Sequence, residues 1–106
     1  MVVKIMMKVY AKQGMSKDEF IHHWLTKHAP LAKKKFGDKL KKYVISIVMS
    51  ADGEEPGYQG TSELWFEDMR TLQKIMSSFA FEEVMAAAED FARKGTMVIL
   101  EEHTIV

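Results

Sequence analysis

The chain has 106 residues, 47% hydrophobic and 28% charged, a globular balance with material for one small core and no room for a second. Fifteen Lys and Arg against fifteen Asp and Glu leave a formal charge of zero, so no net field draws nucleic acid or an anionic membrane. The absence of cysteine excludes disulfides, thiolate metal sites and cysteine nucleophiles.

No apolar run is long enough to span a bilayer, and the N-terminus alternates instead of forming a signal-peptide core. The expectation is a cytoplasmic protein with residues 1–106 as one domain. Nine methionines serve either as core filler or as the lining of a permissive apolar cavity.

Val2 to Tyr10 reads as a strand, with Val3, Ile5, Met7 and Val9 on one face and Lys4, Met6, Lys8 and Tyr10 on the other. A loop at Gly14 precedes a helix that begins at Ser16, where Ser16 and Glu19 have capping-box spacing. Phe20, Trp24 and His28 recur every four residues along one helical stripe. Pro30 removes a backbone donor and restricts Ala29, so the helix is expected to end or bend there, with one further turn to Phe36 before Gly37 stops it. The cluster Lys33, Lys34, Lys35, Lys39, Lys41 and Lys42 reads as a solvated face, with an anion-attracting rim as the alternative.

Lys41 to Met49 is the second strand, with Tyr43, Ile45, Ile47 and Met49 on one side. Ser50 to Gly60, with Asp52-Gly53 and Pro56-Gly57, is a loop longer than a tight hairpin. In the third strand, Thr61 to Phe66, the residues Thr61, Glu63 and Trp65 oppose Ser62, Leu64 and Phe66. Asp68 caps a helix carrying Met69, Leu72, Ile75 and Met76, which Ser77-Ser78 interrupts. A helix over Phe81 to Arg93 and a last strand over Met97 to Val106 complete the chain.

The order βαββαβ specifies an α+β, ferredoxin-like fold, a four-stranded antiparallel sheet with both helices on one face. The other face then exposes Tyr, Trp, Met and Ile side chains, a patch that a twofold homodimer would cover.

His28 is the first candidate for chemistry. Its structural reading is a satisfied core residue; its functional reading is an acid/base or hydrogen-bonding group held beside the Pro30 break. His22 and His23 point in different directions, and His23-x4-His28 lacks chelating spacing, so no metal site is expected. Glu63, next to Trp65 on its strand face, is either a base partnering His28 or one half of an ion pair with a lysine such as Lys8. Tyr10, Trp24, Tyr43, Trp65 and His103 divide between packing and the lining of a pocket for a hydrophobic small molecule. No nucleotide-binding glycine motif, Walker loop or serine elbow is present, and no cofactor is expected.

Phe20-x3-Trp24-x3-His28-Ala29-Pro30-Leu31 resembles the F-x3-W-x3-H-A-P-L signature of the EthD-like family of dimeric α+β barrels. Tyr58-Gln59-Gly60-x2-Glu63-Leu64-Trp65-Phe66 is similar to the family's Y-D-G-x2-E-x-W-F stretch, with Gln59 in place of the usual acid. A weaker match is Glu89-Asp90-Phe91 followed by Glu101-Glu102-His103. The resemblance implies subunits paired through their sheets and a small-molecule pocket near His28. The wider superfamily includes cofactor-independent monooxygenases, lactone isomerases, polyketide cyclases and stress-responsive proteins. On that basis His28 is the expected acid/base, Glu63 its partner, and Trp24, Tyr43 and Trp65 the residues shaping the pocket. A non-catalytic protein that binds an apolar ligand is the alternative.

Overall fold

The structure is a computed structural model that describes residues 2–52, 57–93 and 95–106. The Gly53 and Pro56 turn positions of the long loop lie outside the described residues. Strand β1 (Val3–Ala11) leads to helix α1 (Lys17–His23), a π-helical turn (Trp24–His28) and helix α2 (Ala29–Phe36). After a 3₁₀ turn come β2 (Leu40–Ile47) and β3 (Gly60–Phe66), then helices α3 (Met69–Met76) and α4 (Phe79–Ala88). The short β4 (Ala92–Arg93) and the final β5 (Met97–Glu101) end the order.

All pairings are antiparallel: β2 with β3, β3 with β1, and β1 with both β5 and β4 at successive stretches of its other edge. This is the ferredoxin-like arrangement, with one departure from four strands. Ala92–Arg93 pairs with Tyr10 and Ala11, and the Lys12 amide donates to the Phe91 carbonyl at 2.9 Å. The last helix therefore stops at Ala88, tightened by i→i−3 bonds from Asp90 and Phe91, and does not run on to Arg93. It also starts earlier than Phe81, because Ser78 accepts the Phe81 amide at 3.2 Å and caps it. The last strand stops at Glu101 instead of Val106 because Glu101 is opposite Val3, where β1 begins; residues 102–106 have no strand left to pair with and are exposed.

Ser16 caps α1 by accepting the Glu19 amide at 3.1 Å, and its hydroxyl donates to the Glu19 carboxylate at 2.9 Å. The helix does not break at Pro30. A proline inside a helix forfeits one hydrogen bond and its ring crowds the carbonyl four residues back. The π turn resolves both: Ala29 donates to the Trp24 carbonyl five residues back, and α2 starts with Pro30 in its first positions.

Val3, Ile5, Leu64 and Phe66 of the sheet pack against Ala32, Phe36, Leu72, Ile75 and Val84 of the helices to form the larger core cluster. Phe20, Trp24 and Phe91 form a second cluster. Tyr43, Ile45 and Ile47 join the helix side, so the isoleucines expected on the open face are turned inwards. Registers place Lys4, Met6, Val44, Glu63, Trp65, Val98 and Leu100 on the opposite, helix-free face. Lys33, Lys34, Lys35, Lys39, Lys41 and Lys42 are all exposed, which both a solvated face and an anion-attracting rim require. No described helix is long and apolar enough to cross a membrane.

Candidate functional site

A cavity of about 610 Å³ lies between the sheet and helices α2 and α4. Its walls come from both core clusters: Ile5, Phe36, Leu64, Phe66 and Val84 from one, Trp24 and Phe91 from the other. Small residues make the room, with Ala32 on α2, Ala88 on α4 and Ser62 on β3. Just beyond the floor, Gly60 lets the Trp24 ring lie on the sheet: a Cβ there would sit 2.9 Å from the ring. Of the polar side chains in the wall, Trp24 and Ser62 are buried and His28 and Tyr43 half-buried, whereas Lys8, Glu82, Glu89 and Arg93 are exposed. A charged mouth thus opens into an apolar interior.

The stripe set by four-residue spacing delivers His28 to this interior. Phe20 and Trp24 are buried, with rings 5.3 Å apart, and the π turn between Trp24 and Ala29 carries His28 to the cavity wall. Phe91 holds the imidazole in place: its ring lies 4.9 Å from His28 and stacks on His23 at 5.1 Å. The His28 Nδ1 is buried and has no hydrogen-bond partner among the described residues. Burial, with a smaller repulsion from His23, moves the His28 pKa down from 6.5 to about 4, against an opposing pull from Asp90. The ring is therefore neutral at physiological pH, able to accept one proton and donate another.

Tyr43 lies on the cavity side of β2, diagonal to Ser62 on β3. Burial pushes its phenol above the usual tyrosine range, and the neighbouring Ser62 hydroxyl pulls the other way. The phenol stays protonated and can donate a hydrogen bond.

Of the other residues singled out from the sequence, Glu63 and Trp65 are on the far face of the sheet and do not meet His28. Glu63, opposite Met6, pairs at 2.7 Å with Lys4, two residues to one side, and not with Lys8, two residues to the other. Trp65 is only 8% exposed even there, because Lys4 and Lys42 lie over its ring at 5.0 and 4.8 Å and its indole donates to Glu102 at 3.0 Å. The hydrogen bonds from Trp65 and Lys4 hold the Glu102 carboxyl below its usual range. Tyr10 makes an edge contact with Tyr58 at 6.3 Å, under the Arg93 guanidinium. His103 is exposed beyond the end of β5 and pairs with Glu101 at 2.7 Å. Tyr10, Glu63, Trp65 and His103 are thus outside the cavity. Among the described residues no three His, Asp or Glu side chains gather where a metal ion could sit.

Two cavity residues were not anticipated. Phe91 falls inside the helix expected over Phe81 to Arg93 but stands beyond its observed end at Ala88. Ser62 was recognisable as the one hydroxyl in the otherwise apolar column it shares with Leu64 and Phe66.

Comparison with known proteins places this geometry. The structure of an EthD-family protein from Bacillus halodurans superposes with a TM-score of 0.80 at 25% identity, covering 97% of this chain and 100% of that one. A dimeric ferredoxin-like protein from Thermobifida fusca gives 0.71 at 10% identity, over 94% and 90% of the two chains. The hydroxynitrile lyase of Passiflora edulis gives 0.76 at 12% identity, over 99% and 97%. A search of curated protein sequences finds no match. The family model for the EthD domain matches residues 12–95, which include the Phe20-Trp24-His28 stripe, the π turn and the cavity walls on β3 and α4, and the chain belongs to the EthD family.

Proposed function

We propose that this protein is a cofactor-independent enzyme that moves a proton on a hydrophobic, oxygenated small molecule, with His28 as the acid/base and a homodimer as the working form. The observation that carries the reading is a neutral imidazole with an unpartnered buried nitrogen in the wall of an apolar cavity. A buried polar atom without a partner costs roughly 1–3 kcal/mol, a strain that persists where a site needs it. Dry walls also strengthen any charge pair formed inside them. The low pKa keeps the ring in its base form before a ligand enters, and an anion forming beside it stabilises the imidazolium that results. Oxidation, isomerisation and cyclisation of such molecules all begin with this step. The hydroxynitrile lyase among the structural neighbours supports small-molecule chemistry on the fold, and the dimeric neighbour supports the paired state.

The test is turnover of enolisable aromatic ketones, lactones and hydroquinones by the parent protein and by His28→Gln, which keeps the volume and removes the base. Turnover should fall at least a hundredfold while melting temperature and sedimentation stay unchanged. Equal turnover by both proteins overturns the assignment. A binding-only role is the second reading, favoured by the same low pKa: an imidazole held near 4 is a weak base and serves as a fixed hydrogen-bonding group for a ligand that is never converted. Saturable quenching of Trp24 fluorescence with no turnover of any compound would establish that alternative.

A further inference from the structure

The polar groups withdrawn inside the cavity are separated by kind. His28 and Trp24 belong to the π-helical turn, and His28 lies against Phe91 of the smaller core cluster. The two hydroxyls, Tyr43 and Ser62, are on the sheet, where Tyr43 packs on the larger cluster. Ser62 is 5% exposed, the one buried polar residue of the core among the described residues, and its strand neighbours on the same face are apolar. A serine there gives up the packing of a valine or leucine and needs a compensating hydrogen bond. We infer that Tyr43 and Ser62 form an oxygen-holding station facing His28 across the cavity, and that the substrates are uncharged ring ketones with an acidic C–H beside the carbonyl.

This inference rests on the assignment of His28 as the base. The two stations then divide one reaction. The C–H bond next to the carbonyl breaks, and its proton goes to the imidazole. The electron pair it leaves forms a carbon–carbon double bond, and the carbonyl π pair moves onto oxygen. The Tyr43 phenol donates a hydrogen bond to that oxyanion without losing its proton, as its upward-shifted pKa favours, and Ser62 orients the phenol or adds a second donor. Return of the proton from His28, to the same carbon or to a conjugated one, regenerates a neutral ketone. No electrons enter or leave. Among the described residues no cationic side chain lines the interior, and the charges of Lys8, Arg93, Glu82 and Glu89 stay at the mouth, which disfavours ionised substrates.

The probe pair is 2-tetralone and tetralin, the same two-ring shape with and without the carbonyl. Two readouts are taken: affinity by quenching of tryptophan fluorescence, and exchange of the protons beside the carbonyl in D₂O by NMR. The parent protein should bind the ketone at least tenfold more tightly than the hydrocarbon and should accelerate exchange. Tyr43→Phe and Ser62→Ala should each shrink that preference severalfold and slow exchange. His28→Gln should keep the preference and lose the exchange. If the parent protein binds both compounds equally, or neither, or if Tyr43→Phe and Ser62→Ala leave the preference intact, the oxygen-holding station is overturned. If the station variants behave as expected but His28→Gln exchanges at the parental rate, the station stands and the role of His28 as base falls.

Discussion

At the scale of single residues, the proposed chemistry turns on the protonation state of His28, and folding stability reports that state without any ligand. The unfolded chain takes up the His28 proton near 6.5, whereas the folded chain takes it up near 4. Between those values the unfolded state binds more protons, so stability rises with pH and is lost as pH falls. The contribution amounts to about 2 kcal/mol between pH 7 and pH 5. Urea denaturation of the parent protein and His28→Gln at the two pH values measures it: the parent should lose about 2 kcal/mol more than the variant on acidification. Equal losses would mean that the ring titrates in the folded protein as it does in water. A kcat/KM profile should correspondingly lack an acid limb near 6.5 and fall only towards 4.

Among elements, the contact between the π turn and β3 locates the imidazole. Trp24 can lie flat on the sheet only because Gly60 has no side chain, since a Cβ there would meet the ring at 2.9 Å and the Ser46 carbonyl more closely still. Gly60→Ala should therefore cost about 1–3 kcal/mol through overpacking, shift the Trp24 emission and weaken ligand binding with His28, Tyr43 and Ser62 all still present. A stable variant with unchanged emission would remove Trp24 and Gly60 from the account of how His28 is placed. Much at this scale was legible in the sequence: strand alternation separated the faces of β1 and β3, Ser16 and Asp68 marked helix starts, and the spacing of Phe20, Trp24 and His28 put them on one helical stripe. The π turn was not legible, because Pro30 signals a lost hydrogen bond and not how the chain reroutes it. Glu63 was misplaced as a partner of His28 for a different reason. Strand alternation puts Glu63 with Lys4 and Trp65 on one face, but which face meets the helices depends on Leu64 and Phe66 being the better core residues.

For the whole molecule, the extents of 37 × 34 × 19 Å describe a slab one sheet and one helix layer thick. Nothing within the described chain covers the second face of the sheet, where Met6 lies beside Glu63 on β3 and Val98 on β5, with Val44 one strand further out. That face also carries an ion-pair network in which Lys4 reaches Glu63 at 2.7 Å and Glu102 at 3.1 Å, and these contacts raise the lysine pKa. Charges already paired within one subunit can enter an interface at lower cost than free ones, whereas an additional unpaired charge cannot. Met6→Glu adds that charge at the centre of the face and, through the twofold axis, sets it near its own copy. The parent protein should sediment at twice the chain mass at micromolar concentration, and Met6→Glu should dissociate at least a hundredfold more readily while keeping its fold and its His28-dependent pH response. A parent protein that sediments as a folded single chain removes the proposed dimer. A Met6→Glu variant that still pairs as tightly keeps a dimer but moves its contact away from the open sheet face, and the apolar surface there would then need another explanation.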